Sequence, residues 1–126
     1  MRFLIDAYSW IEFLGGTSEG IKVKEFFEDN EIYTSTITIA EVLSKVKRSN
    51  KDTEVAYNAI RTSSKIIPLN EEISREVGLL HADIYKKIKD MGIADCILVT
   101  TAKKIKAKII TGDRHFKNFK EAFLIR

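Results

Sequence analysis

Four acidic side chains have the types and positions to do chemistry, because each stands within or directly after an apolar stretch. They are Asp6, Glu41, Asp95 and Asp113. Two like charges about 4 Å apart repel by roughly 4 kcal/mol at an effective dielectric near 20. If the four share a small pocket, some are protonated or a cation lies between them. An all-oxygen ligand set favours Mg²⁺ or Mn²⁺. Zinc is not indicated, since Cys96, His81 and His115 are isolated.

The elements that position these acids are strands alternating with helices. Short apolar runs predict strands at 2–6, 31–35, 65–69 and 108–111, and a short one within 119–125. Helical spacing of apolar residues predicts helices at 7–15, 21–27, 36–46, 53–63, 73–89 and 93–104. This alternation indicates a single α/β domain over residues 1–126, with three layers (α/β/α) and a mostly parallel sheet of about five strands.

The carboxyl edge of the predicted sheet is where the acids would gather, because ligands of parallel sheets bind outside the strand ends. Asp6 ends the first strand, and Asp113 lies just past the fourth. Thr111 can offer a hydroxyl in the same turn. The helix of Glu41 follows the second strand and so begins at this edge. The helix of Asp95 is reached from another helix, so the local sequence does not place it there.

Each acid also has an ordinary structural explanation. Asp6 could cap the helix that follows it. Glu41 could be a solvated helix residue, although it stands among apolar neighbours. Asp95 would be favoured near a helix N-terminus by the helix dipole, and Asp113 would suit a turn. Spacing alone does not separate these explanations from a shared site.

Composition places the chain among globular proteins. Of 126 residues, 44% are hydrophobic and 31% charged, which argues against disorder. The net charge of +3 is compatible with nucleic acid but is weak evidence for it. One cysteine, Cys96, excludes an internal disulfide framework and indicates a reducing, cytoplasmic compartment. No apolar run approaches the roughly 20 residues of a membrane helix, so no membrane association is expected.

Four segments around the acids carry a family resemblance. They are Phe3–Asp6, Thr38–Val42, Ile93–Ile97 and Ile109–Phe116. The last segment contains the pattern T-x-D-x-x-F. Taken in this order, they resemble the PIN domain, the ribonuclease fold of many prokaryotic toxins of the VapC type. One such segment is weak evidence, whereas four in the correct order are specific, and the resemblance covers the whole chain.

The resemblance implies roles for particular residues. The family's acidic quartet falls on the four acids above, with Asp6 and Asp95 as the inner metal ligands and Thr111 supporting the acids. The sequence departs from the family pattern at Tyr8, where a small hydroxyl or amide residue is common. The ring could narrow the entrance, or Ser9 could take over the polar role.

The function implied is an endoribonuclease that uses Mg²⁺ or Mn²⁺, a phosphodiester hydrolase whose products carry 5′-phosphate and 3′-hydroxyl ends. A toxin of a type II toxin–antitoxin pair is the implied biological role, with a small antitoxin and a homodimer as partners. Arg114 and Lys45, close in sequence to the acids, are the candidates for binding RNA. Trp10, Phe13 and Tyr85 would suit an interface, but each could equally be core.

Two other hypotheses compete with the nuclease. A catalytically silent PIN module could act in RNA processing or in binding RNA or protein, but such a module gains nothing from clustered like charges. A signalling receiver-type domain needs an acidic pair at the first strand and an Asp ending the central strand. Asp6 has no acidic neighbour, and the third strand runs into Pro68-Leu69-Asn70, so this second hypothesis is disfavoured.

Overall fold

Five strands and six α-helices make up the chain in a computed structural model that describes all residues 1–126. The strands are β1 (Arg2–Ile5), β2 (Glu31–Ser35), β3 (Lys65–Ile67), β4 (Lys108–Thr111) and β5 (Ala122–Leu124). The helices are α1 (Ala7–Gly15), α2 (Ser18–Glu25), α3 (Thr36–Arg48), α4 (Thr53–Ser63), α5 (Glu71–Ile84) and α6 (Ile93–Ile105). A short 3₁₀ helix, Arg114–Phe116, follows β4.

The sheet has the order β3-β2-β1-β4-β5, and all neighbouring strands are parallel. The prediction of an α/β fold with five strands in three layers is confirmed, and the sheet is wholly rather than mostly parallel. The central strand β1 is apolar on both faces because both are covered by helices. Phe3 and Ile5 lie in one core and Leu4 lies in the other.

One face of the sheet is covered by α1 to α4. Trp10 is fully buried in this core, and its indole N–H donates to the Thr34 hydroxyl at 3.1 Å. Phe13 is half-buried against Trp10, with ring centroids 5.6 Å apart. Of the residues considered for an interface, Trp10 is therefore core, whereas Tyr85 is 66% exposed.

The other face is covered by α5 and α6. From α6, Leu98, Val99 and Ala102 pack against Leu4 and Ile109 of the sheet. Burial on both sides explains why residues 96–102 are apolar or hydroxyl-bearing without a polar stripe. This packing holds the N-terminal turn of α6 at a fixed position relative to β1 and β4. No helix of the chain combines the length and apolarity that crossing a bilayer requires.

Two helix boundaries differ from the prediction by three residues or more. α2 begins at Ser18 rather than at residue 21, because the Thr17 hydroxyl caps it by accepting from the Gly20 N–H at 3.0 Å. α5 ends at Ile84 rather than at residue 89. Ile88 still packs against the core from the turn that follows. The apolar spacing therefore identified the inward-facing side chains correctly, although the helical ladder had already ended.

Candidate active site

Asp6 lies where β1 ends, at the centre of the carboxyl edge. Its backbone N–H continues the sheet by donating to the Ile110 carbonyl at 3.2 Å. Its side chain is buried and caps α1, because Oδ1 accepts from the Ser9 N–H at 2.7 Å. The Ser9 hydroxyl in turn donates to the Ile110 carbonyl at 2.9 Å. The capping explanation therefore holds for Asp6, and it does not exclude a functional role.

The electrostatics of Asp6 are unusual for a cap. Burial raises the pKa of its carboxyl to about 6, and repulsion from Asp113 adds to the shift. Hydrogen bonds from Thr111 and Ser9 oppose this shift only in part. A carboxylate held in this way is destabilised in its charged form, and a cation beside it would relieve the cost.

Asp113 and Thr111 form the turn after β4. The Asp113 N–H donates to the buried Thr111 hydroxyl at 2.9 Å. The Asp113 Oδ1 accepts from the His115 N–H at 2.8 Å and so begins the 3₁₀ helix. The His115 Nδ1 lies 3.2 Å from the same carboxylate oxygen. Asp113 is therefore a fixed, half-buried turn residue beside Asp6.

Asp95 lies in the first turn of α6 and is half-buried. Its Oδ2 accepts from the Gly92 N–H at 3.1 Å, which closes the helix N-terminus. Burial raises the pKa of the Asp95 carboxyl, and the charge of Asp113 raises it further. The position that the local sequence left open is thus at the same edge as the strand-end acids.

Glu41 reaches the site from the side, on the second turn of α3. It is exposed rather than buried. The pKa of its carboxyl is nevertheless raised, first by desolvation and then by the charges of Asp95 and Asp6. Glu41 is therefore the most exposed of the four acids.

All four acids line one cavity of about 420 Å³. Its charged lining residues are Asp6, Glu41, Asp95, Asp113, Arg114 and Arg126. The acids come from β1, α3, the start of α6 and the end of β4, so the arrangement depends on the whole fold. Four carboxyls against two guanidiniums leave negative charge in a partly desolvated space.

The donor set suits a hard divalent cation. No three His, Cys, Asp or Glu side chains lie close enough together to form a ready-made metal-ligand cluster. Mg²⁺ does not require one, because it commonly binds one or two carboxylates and completes its shell with water and phosphate. Burial raises the pKa of the Asp6, Glu41 and Asp95 carboxyls, so the charged form of each would be stabilised by a cation.

The two predicted RNA-binding residues lie in different places. Arg114 lines the acid cavity. Lys45 lines a second cavity of about 340 Å³, formed by residues of α1, α3, α4 and the segment between α3 and α4, half of them hydrophobic. That cavity contains Ile11, Leu14 and Val46 but none of the four acids, so the structure does not bring Lys45 together with the rest of the predicted site.

Sequence reasoning missed the wall of the acid cavity formed by Tyr8, Gly112 and Arg126. Tyr8 was noticed only as a departure from the family pattern. A Cβ on Gly112 would overlap the Tyr8 ring, so the ring can occupy this position only because residue 112 is a glycine. Arg126 carries no local signal, since it meets Tyr8 only because β5 pairs with β4.

The PIN domain is the protein family whose model matches this chain, over residues 3–122. The chain belongs to the PIN domain family. No curated protein sequence matches it significantly.

Similar solved structures agree on this fold. A toxin–antitoxin complex from Klebsiella pneumoniae contains a chain that is 21% identical, with a TM-score of 0.79 over 98% of this chain and 97% of the other. VapBC2 from Rickettsia felis, bound to a promoter DNA fragment, gives 18% identity and a TM-score of 0.78 with the same coverage. VapC20 of Mycobacterium tuberculosis, described as a sarcin–ricin loop cleaving toxin, is 12% identical to this chain. The TM-score is 0.68, over 94% of this chain and 97% of the other. At these identities the likeness concerns the fold alone.

Proposed function

We propose that this PIN domain is an endoribonuclease dependent on Mg²⁺ or Mn²⁺. The observation that carries the proposal is the convergence of Asp6, Glu41, Asp95 and Asp113 on one cavity. Perturbed carboxyls that face a cleft without paired cations are typical of functional sites. A site built only for stability would pair these charges or leave them in open solvent.

The four acids have different roles in this proposal. Asp6 and Asp95 would hold the metal, which when bound would supply Lewis-acid stabilisation of a phosphate and a water of lowered pKa. Ser9 and Thr111 fix the Asp6 carboxyl by hydrogen bonding. Glu41 and Asp113 would complete the site or orient its waters. Hydrolysis of this kind leaves a 5′-phosphate and a 3′-hydroxyl, which end analysis of the products can check.

The proposed biological role is that of the toxin in a type II toxin–antitoxin pair. Support comes from similar folds in structures described as toxin–antitoxin complexes, including the one from Klebsiella pneumoniae. On this proposal residues 1–126 act as one domain in the cytoplasm, as a homodimer, and a small antitoxin protein is the partner. Co-expression with the product of a neighbouring short gene, followed by copurification, tests the partnership.

Cleavage of mixed RNA by the purified protein tests the nuclease. We expect cleavage with Mg²⁺ or Mn²⁺, none with EDTA, and a loss of at least about 100-fold for Asp6→Asn, because even supporting residues of metal sites can cost that much. Glu31→Gln is the matched control, since it removes an acid from the start of β2, at the opposite edge of the sheet, and should retain activity.

Two outcomes would contradict the nuclease. Cleavage that survives EDTA or Asp6→Asn would exclude the metal mechanism. RNA binding without cleavage under every metal condition would favour the catalytically silent module instead. A copurifying contaminant is separated from the protein's own activity by the Asp6→Asn and Glu31→Gln pair, since both are purified in the same way.

A further inference from the structure

Arg126 is held at the rim of the acid cavity. Pairing of β5 with β4 brings it there, and the Ile125 N–H donates to the Thr111 carbonyl at 2.9 Å. The Arg126 Nη1 donates to the Gly112 carbonyl at 3.5 Å. Its Nε lies 3.6 Å from the Glu19 Oε1. The guanidinium is therefore anchored on one side by two separate parts of the chain.

The same guanidinium stacks on the ring of Tyr8. The Arg126 Cζ lies 5.0 Å from the centroid of the Tyr8 ring, in the range of a cation–π contact. The Tyr8 hydroxyl donates to Glu19, which also faces Arg126. Glu19 therefore contacts both partners of the stack. Because Gly112 lacks a Cβ, the ring can lie directly against the turn that carries Asp113.

The Arg126 guanidinium is only partly occupied by partners within the protein. Its Nη2 has no hydrogen bond to the protein, and the side chain is 53% exposed. A guanidinium fixed through Nε and Nη1 still offers N–H groups in the planar fork that matches a phosphate. Arg114, the other cation of the cavity, makes no side-chain hydrogen bond or ion pair within the protein. Arg126 is thus the pre-positioned cation of the two.

We propose that Arg126 binds a backbone phosphate of the RNA strand in the acid cavity, and that Tyr8 and Glu19 are positioning residues that act through it. The inference rests on the proposed nuclease function and names how that site attracts its substrate. Four carboxyls repel a polyanion, so a fixed guanidinium beside them is needed to hold the strand in register. Tyr8, which departs from the family pattern, becomes the support of this cation.

Binding of labelled polyuridine to the purified protein in EDTA tests Arg126 without any need for cleavage. Arg126→Gln should weaken binding about tenfold and reduce the slope of log affinity against log salt by about 0.7, the value for one phosphate contact to a single strand. Arg126→Lys should keep most of that slope while binding more weakly, because it keeps the charge but loses the fork. Arg61→Gln is the matched control, since Arg61 stacks on Tyr57 of α4 at 5.4 Å, outside the cavity.

Tyr8 is tested by its dependence on Arg126. Tyr8→Leu should weaken binding in the wild-type background but add little to Arg126→Gln, because it acts through the lost guanidinium. With cleavable RNA and Mg²⁺, Arg126→Gln should raise KM about tenfold and leave kcat within about threefold, the pattern for a lost uniform binding contact. Circular dichroism melts of each variant separate misfolding from lost binding.

The inference is wrong if Arg126→Gln has the same salt slope as the wild type. It is also wrong if Arg61→Gln weakens binding as much as Arg126→Gln does. Additive effects of Tyr8→Leu and Arg126→Gln would overturn the positioning role of Tyr8. A wild-type protein that binds RNA through Arg126 but never cleaves it would contradict the nuclease proposal and leave this inference standing. If the wild type cleaves RNA and Arg126→Gln changes neither binding nor KM, the nuclease proposal stands and the inference about Arg126 is wrong.

Discussion

The two edges of the sheet carry acids in opposite electrostatic states. At the amino edge, where the parallel strands begin, Glu31 begins β2 beside Arg2 of β1. The Arg2 Nε lies 3.1 Å from the Glu31 Oε2. This hydrogen bond lowers the pKa of the Glu31 carboxyl. At the carboxyl edge, Asp6 ends β1, and burial raises the pKa of its carboxyl to about 6. The same central strand thus begins in a paired charge and ends in an unpaired one.

The difference distinguishes an edge whose acid is paired with a cation from an edge whose acid is buried without one. Both side chains of the Arg2–Glu31 pair remain largely exposed, at 45% and 63%, so neither charge has been desolvated. Asp6 is desolvated, and its nearest charged influence is another acid, Asp113. Natural sequences keep such local conflicts where function requires them. The direction of the pKa shift therefore distinguishes Asp6 from Glu31.

The largest effect on stability is expected for Asp6→Asn. The pKa of Asp6 is about 6 in the folded protein, against an ordinary value of 3.8. The charged carboxyl therefore lowers the free energy of unfolding above pH 6, whereas the neutral carboxyl present below pH 3.8 does not. The shift corresponds to about 3 kcal/mol. Asn keeps the capping acceptor of α1, so we expect the variant to be more stable than the wild type by up to about 3 kcal/mol at neutral pH.

Urea unfolding from acid to neutral pH measures this effect. The advantage of Asp6→Asn should vanish as the pH falls through the interval between the two pKa values, since wild-type Asp6 then becomes neutral as well. Added Mg²⁺ should stabilise the wild type and not the variant, because a ligand stabilises only the state that binds it. A variant that is less stable at every pH would show that the charge of Asp6 is compensated within the fold, and the contrast between the edges would fail.

The fold was predictable because its elements follow from local patterns. Buried parallel strands are short apolar runs. The start of α6 was predicted correctly because Gly92, its N-cap, separates the preceding helical pattern from the next one. The end of α5 was not predictable from spacing, since Ile88 packs inward from a turn as well as from a helix. Asp90 then takes a left-handed φ of 68°, a reversal that no apolar period encodes.

The candidate site was predictable as far as its residues follow strand ends. Asp6 and Asp113 are placed by β1 and β4, which pair directly. Asp95 needed the family resemblance, because its position depends on how α6 packs. Neither the strand ends nor the family resemblance could predict Arg126. It contacts Tyr8 through the pairing of β4 with β5, and a contact between residues so distant in sequence leaves no local pattern.

A smaller effect is expected for Gly112→Ala, which tests how tightly the carboxyl edge is packed. The added Cβ would overlap the Tyr8 ring, and overpacking of this kind costs about 1–3 kcal/mol. Displacement of the ring should also release Arg126 and weaken RNA binding. Combining it with Tyr8→Ala should remove most of the destabilisation, because the clash then has no partner. Thermal melts of the two single variants and the double variant measure this, and an unrescued double variant would place the strain elsewhere.

The smallest effect is expected for Arg2→Ala at the amino edge. It removes the ion pair with Glu31 and the hydrogen bond to the Ile105 carbonyl, but both acceptors are free to bind water, so stability should fall only slightly. The loss should shrink as salt is added and as the pH drops through the lowered pKa of Glu31, because the stabilisation exists only while that carboxyl is charged. RNA cleavage should not change. If Arg2→Ala alters cleavage as strongly as the acids of the carboxyl edge do, the two edges are coupled, and the division between a structural edge and a ligand-binding edge is wrong.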